Sequence, residues 1–311
     1  MSLKYEIVKR AVRAVGLKNR GKMTADEIIA FKKKQNAKIG IPDIRDREIT
    51  VSQVSVMGFP VLKMSHNKFT GKADLFIIGG GMVGKPQPSM IKKALRFCRE
   101  TGLDLYIPYY PLCTEYPLNK AYEMICETYR TMLADYSSEN ISVIGLSSGG
   151  NLALGLIAYM NAEHIVLPRP HYIMVLSPGC GAVNDEERER LKELDKKDFI
   201  ISADYIKTAE EVMRRGSDSV PDYMIFLQLG DFTGCPEVTF IYGSDEVLYA
   251  LAPSFEKAMK KYGVKYEMIV GEGMFHCYPV FPVVKEAKQG WDEMIRIMRS
   301  KTDIAERGRQ V

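Results

Sequence analysis

The chain has 311 residues, of which 46% are hydrophobic and 26% charged, proportions that place it among globular proteins and exclude disordered, fibrous and membrane-embedded classes. Its length allows one generous α/β domain or two small ones, with a large buried core in either case. The net charge of +4 is too small to imply nucleic acid as a partner of the whole chain, but it is unevenly spread: residues 1–40 hold 11 Lys+Arg against 3 Asp+Glu.

No apolar run approaches the ~18 residues of a membrane span. The start, MSLKYEIVKR, lacks the uninterrupted apolar stretch of a secretory signal, so a cytoplasmic location is expected. The six cysteines (Cys98, Cys113, Cys126, Cys180, Cys235 and Cys277) form no C-x-x-C pair, which argues against a zinc ribbon or a disulfide scaffold and for buried or partly buried thiols.

In chain order, Tyr5, Val8, Val12 and Val15 recur at helical spacing, and Thr24 with Glu27 makes a capping box ahead of Ile28 and Phe31. ITVSQVSVMGF then alternates with a period near two, and Pro60 to Met64 can pair back on it as a β-hairpin. After Gly71, short apolar runs alternate with helical patterns: strands at 74–78, 103–107, 141–145 and 172–176, and helices at 90–100, 121–136 and 151–160. This rhythm predicts a doubly wound, mostly parallel sheet with helices on both faces. It breaks between Asn184 and Pro236, where DEERERLKELDKK and SADYIKTAEEVMRR carry no strong buried strand. The rhythm resumes with a strand at 238–243, a helix through Lys261, a strand at 266–270 and a closing helix whose apolar face is Val284, Ala287, Trp291, Met294 and Met298.

The sharpest local signal is Gly145-Leu146-Ser147-Ser148-Gly149, a G-x-S-x-G pattern between a predicted strand and a predicted helix. A strand-to-helix turn this tight strains the central serine, and only small residues two positions either side avoid the neighbouring backbone. Ser147 would then stand above the sheet as a nucleophile.

A serine nucleophile needs a base, and there are four histidines: His66, His164, His171 and His276. On this kind of sheet an acid and then a histidine follow the serine, which leaves His276, in GEGMFHCYP past the strand at 266–270. For the acid, Asp245 comes first: it sits near the end of strand VTFIYG, where a short side chain held by a turn would orient an imidazole. Glu246 next door is the alternative, with a place at the start of the following helix as its other reading. Backbone donors for an oxyanion are offered by Gly79-Gly80-Gly81, directly after the strand at 74–78.

These residues make the chain resemble an α/β-hydrolase, and within that fold the hormone-sensitive-lipase-like esterases, with their HGGG loop and GDSAGG elbow. The likeness runs from about Leu75 to Tyr278 and includes GLSSGGNLAL, LCTEYP against the family's LAPEHP, Ser177-Pro178 against SPW, and the GSDEVL and GMFHCY segments. It implies a triad of Ser147, Asp245 and His276, with the N–H groups of Gly80, Gly81 and Ser148 as oxyanion hole. The chain departs from the pattern at Ile78 (His in the family), Leu146 (Asp), Ser148 (Ala), and Tyr109 and Pro111 in the DYR segment. The departures remove a polar scaffold that normally positions the glycine loop. The resemblance also implies a cap made from residues 1–45 and 184–235 over a core of 46–183 and 236–311.

The expected function is a carboxylesterase acting on short to medium acyl esters through an acyl-enzyme, with no metal or organic cofactor required. Its rivals are an amide or peptide hydrolase with the same triad and a non-catalytic ligand receptor on the same scaffold. The expected partner is a small-molecule ester, with a homodimer as a possible assembly and no nucleic acid. Lipid docking through the basic N-terminus is a weaker reading than a solvated helix face, since that face has no large aromatic anchors.

Overall fold

The alternating segment at residues 49–66 folds as the expected hairpin, β1 (Ile49–Val56) and β2 (Phe59–His66), with Val56 opposite Phe59. Its two-residue turn, Met57-Gly58, has positive φ at both positions, the twist that suits a hairpin. The next strands are β3 (Ala73–Ile77), β4 (Asp104–Pro108), β5 (Ile141–Leu146), β6 (Tyr172–Leu176), β7 (Glu237–Gly243) and β8 (Tyr266–Gly271). The eight lie in the order β1-β2-β4-β3-β5-β6-β7-β8, parallel from β4 to β8, with the hairpin added antiparallel at one edge. The computed structural model describes residues 3–16, 18, 22–215 and 220–303. The parts of the two predicted cap segments at 1–2, 17, 19–21 and 216–219 lie outside the described residues.

Strands β3 to β6 are buried along their whole length, because helices cover both faces as a parallel sheet requires. On one face lie α4 (Leu118–Met132), α5 (Ser148–Ala162) and α9 (Ala252–Lys261). On the other lie α3 (Pro88–Thr101) and α10 (Lys285–Lys301), whose Ala287, Trp291, Met294 and Met298 are buried as the spacing predicts. Successive strand residues alternate between the two cores: Leu75 and Ile77 face one, Phe76 and Ile78 the other.

The N-terminal helices are α1 (Leu3–Val15) and α2 (Ala25–Asn36). Tyr5 of α1 is fully buried, with Val8 and Val12 packed against the same core, but Val15 is exposed, so the predicted apolar face ends one turn early. The Thr24–Glu27 capping box forms as expected. Between β6 and β7 the described residues include the helices α6 (Asp185–Asp195), α7 (Ala203–Arg214) and α8 (Asp222–Ile225). The six cysteines are unpaired, five of them buried, and no helix among the described residues is long and apolar enough to cross a membrane.

The chain leaves β3 for β4 on one side and then crosses back to β5 on the other. The carboxyl ends of β3 and β5, paired up to Ile77 opposite Gly145, therefore mark the switch point of the sheet. In open α/β sheets that is where a crevice opens.

Candidate active site

The G-x-S-x-G segment makes the turn its spacing predicts. Ser147 lies between β5 and α5 with φ +55° and ψ −125°, a conformation strained for any residue with a Cβ. It is held there by the bond from Ser147 N to Leu176 O (2.8 Å) and by Gly150 N donating to Ser147 O (2.7 Å). A Cβ on Gly145 would overlap the Gly149 carbonyl and come within 2.6 Å of Gly150 Cα. Neither glycine tolerates a side chain, since one on Gly149 would strike Ile77 O of β3. Asn151 then ties the first turn of α5 to the loop after β6, exchanging hydrogen bonds with Gly179 N (2.6 Å) and O (3.2 Å).

His276 sits past β8 and pairs with a carboxylate, but not with Asp245. Its Nδ1 lies 2.6 Å from Glu246 Oε2. The turn at the end of β7 explains the difference. Asp245 N donates to Met274 O (3.0 Å), and its side chain faces outward to Lys9 of α1 at 3.2 Å. Glu246 turns inward and is fully buried, with Oε1 accepting from Ser177 Oγ (2.7 Å) and from Gly243 N (2.8 Å). Its extra methylene lets it fold back to the strand end. The structure thus pairs His276 with Glu246, where the sequence reading placed Asp245.

Three bonds satisfy this buried carboxylate, as a charge out of water requires. Burial opposes a charge on His276, but the neighbouring Cys277 and Glu246 outweigh it and hold the imidazole pKa well above the ordinary histidine value. The other ring nitrogen, Nε2, is 3.7 Å from Cys277 Sγ. Ser177 completes the scaffold, since the hydroxyl that donates to Glu246 also accepts from Cys277 N (2.9 Å).

Ser147, His276 and Gly79-Gly80-Gly81 line one cavity of about 340 Å³. Its other walls are largely apolar (Met90, Ile200, Val280 and Phe281 among them), with Lys18, Lys32, Ser202 and Tyr205 as polar members. Asp245 does not line it. Gly81 has φ +65° and lies against the Tyr205 hydroxyl, which would be 2.6 Å from a Cβ there. The Ser148 N–H belongs to the first turn of α5, where no intrahelical carbonyl can receive it. The Gly80 N–H, expected as an oxyanion donor, donates to Ser148 Oγ at 3.0 Å. Among the described residues no group of three or more His, Cys, Asp or Glu is gathered as a metal site.

Several residues of this neighbourhood carried no sequence signal. Asp198, in the segment between β6 and β7, accepts from Ile200 N, Ile201 N and, at 2.8 Å, from Val247 N next to Glu246. Burial raises its carboxyl pKa, and these backbone bonds act against the rise. Tyr5 donates to Gly273 O (2.6 Å) and stacks on Phe275, so α1 bears on the histidine loop as well as on Asp245. Only Ser177, through the likeness of Ser177-Pro178 to SPW, was singled out in the sequence.

Comparison with known proteins agrees with this architecture. The chain is 24% identical over 182 residues to an esterase of Acinetobacter venetianus, covering 58% of this chain and 59% of that protein. It is 28% identical over 130 residues to a triacylglycerol lipase of Mycobacterium tuberculosis, covering 42% of this chain and 29% of the lipase. The chain thus matches well under two thirds of the length of these curated relatives. Among solved structures, an esterase/lipase from an uncultured bacterium superposes with a TM-score of 0.80 at 23% identity, over 97% of this chain and 100% of that one. An esterase from the bacterial hormone-sensitive lipase family does so with 0.78 at 20%, over 97% and 99%. Likeness at such identity speaks to the fold. The family described as alpha/beta hydrolase fold matches residues 75–280, from β3 through the histidine loop, and the chain belongs to that family.

Proposed function

We propose that the chain is a serine hydrolase that cleaves carboxylic esters of short to medium acyl chains. The observation that carries this reading is the meeting of a strained serine and a carboxylate-paired histidine on the wall of one largely apolar cavity. A buried Glu–His pair has its ordinary use in fixing the imidazole tautomer, so that Nε2 can take a proton while Nδ1–H stays on the carboxylate. The esterases and lipases among the chain's relatives point the same way.

In the proposed reaction Ser147 Oγ attacks the ester carbonyl carbon as its proton passes to His276 Nε2. Glu246 stabilises the resulting imidazolium, and the N–H groups of Gly81 and Ser148 receive the oxyanion. Collapse breaks the acyl C–O bond, the alcohol leaves with the proton from His276, and water releases the acyl group by the same steps. Residues 1–45 and 184–235 act as the cap: Lys18, Lys32, Ser202 and Tyr205 bring them to the cavity wall. At about 340 Å³ the cavity is at the small end of ligand pockets, which favours short acyl groups.

The test is hydrolysis of p-nitrophenyl esters from acetate to palmitate, with a matched anilide, by wild type and Ser147→Ala. Turnover that favours short chains and is lost in the variant is the expected outcome. Cleavage of the anilide alone would replace the esterase by an amidase, and no turnover of either by folded wild type would favour a receptor.

A further inference from the structure

The glycine loop of this chain has Ile78 where the resembled esterases have a histidine, so one polar support of the loop is missing. A different support is present. Ser148 Oγ accepts from both Gly80 N (3.0 Å) and Met82 N (3.3 Å). Tyr110 is buried nearby, and burial pushes its pKa up to about 12. Its hydroxyl donates to Ile78 O at 3.1 Å. The Ser148 hydroxyl thereby ties the loop at residues 80 and 82 to the first residue of α5, and the Tyr110 hydroxyl holds it at residue 78.

We propose that Ser148 is a positioning residue whose side-chain hydroxyl replaces the missing histidine and holds the glycine loop in the geometry that aims the Gly81 N–H at the substrate. The inference rests on the hydrolase reading above. Three successive glycines have a large conformational freedom to lose, and Met82 beyond them has φ +60°, which is unfavourable for a side-chain-bearing residue. Packing alone narrows the loop by repulsion: a Cβ on Gly79 would come within 2.8 Å of Ser147 Cβ. Attraction comes from hydrogen bonds. The carbonyls of Gly80 and Met82 receive Gly84 N (2.9 Å) and Cys113 N (2.8 Å), and their N–H groups go to Ser148. Removing one oxygen atom would therefore leave two N–H groups without that partner, in a place where unpaired polar groups are costly. The donor of the Ser148 main chain would be untouched, so side-chain and main-chain roles can be separated.

The experiment is steady-state hydrolysis of p-nitrophenyl acetate by wild type, Ser148→Ala, Tyr110→Phe, the double variant, and Ser148→Ala combined with Ile78→His. Ser148→Ala is expected to lower kcat roughly 10- to 100-fold with KM within about threefold, the signature of an interaction made in the transition state. Tyr110→Phe should lower kcat by a smaller factor, and the double variant should lose less than the product of the two, because both hold one loop. Histidine at position 78 should recover part of the kcat. If Ser148→Ala kept kcat within twofold of wild type, or raised it by freeing the Gly80 N–H, the inference would be overturned while the esterase reading stood. Should Ser148→Ala fail to fold, an unchanged kcat in Ser148→Cys, whose thiol is a poor acceptor, would overturn it equally. A wild type inert to every ester would remove the hydrolase reading and this inference with it.

Discussion

The serine turn and the acid–base loops lie at the same end of the sheet but are held by opposite means. Ser147 is fixed by its backbone: glycines at 145 and 149 let β5, α5 and β3 approach until no side chain fits between them. Glu246 and His276 are fixed by their side chains, through Ser177 Oγ, Gly243 N and each other. A steric turn is specified within five residues, whereas a hydrogen-bonded carboxylate depends on partners from three separate strand ends. Of the seven described non-glycine residues with positive φ, Ser147 and Cys277 line the cavity, so strain is found on its serine side and on its histidine side.

Two perturbations would sharpen this contrast. The larger is Gly145→Ala, where the new methyl meets backbone atoms that cannot yield without moving α5 off β5. Loss of ester turnover together with a destabilisation of about 2 kcal/mol or more in chemical unfolding is expected, since backbone strain and overpacking coincide there. A variant of near-normal stability and rate would show that the turn is not sterically defined. The smaller concerns the acid–base side. With its pKa held well above the ordinary value, His276 must lose its proton to act as a base, so the acidic limb of kcat/KM should lie above the ~6.5 of an unperturbed histidine. Activity should rise with pH through that limb, and Glu246→Gln should move the limb downward, because the carboxylate that favours the charged ring is gone. A limb unmoved by Glu246→Gln would detach the carboxylate from the titrating group.

The same contrast explains what could be read in advance. Strands with every residue buried and helices with an apolar face write their period into the chain, and β3, β5, α5 and α10 stand within a few residues of their predicted places. The turn at Ser147 was legible because glycine spacing is itself the steric requirement. Asp245 and Glu246 were not distinguishable in this way. Which of two adjacent carboxylates turns inward depends on Met274 O capturing Asp245 N and on Lys9, 236 residues distant, drawing the Asp245 side chain outward. Proximity to the strand end favoured the shorter acid, and length of reach favoured the longer one. Likewise Ser148 read only as a departure from a pattern, since the two N–H groups it receives come from a loop 66 and 68 residues earlier.

The measurement that bears most directly on the centre of the site is kcat/KM of Glu246→Gln and Asp245→Asn, side by side with wild type on one short p-nitrophenyl ester. Removing the charge that orients a catalytic imidazole costs up to ~10⁴-fold in a serine triad, so Glu246→Gln should fall by at least about 100-fold. Asp245→Asn loses its ion pair with Lys9 of α1, away from the cavity wall, and should stay within about fivefold. The reverse order, with Asp245→Asn crippled and Glu246→Gln active, would contradict the assignment of Glu246 as the acid.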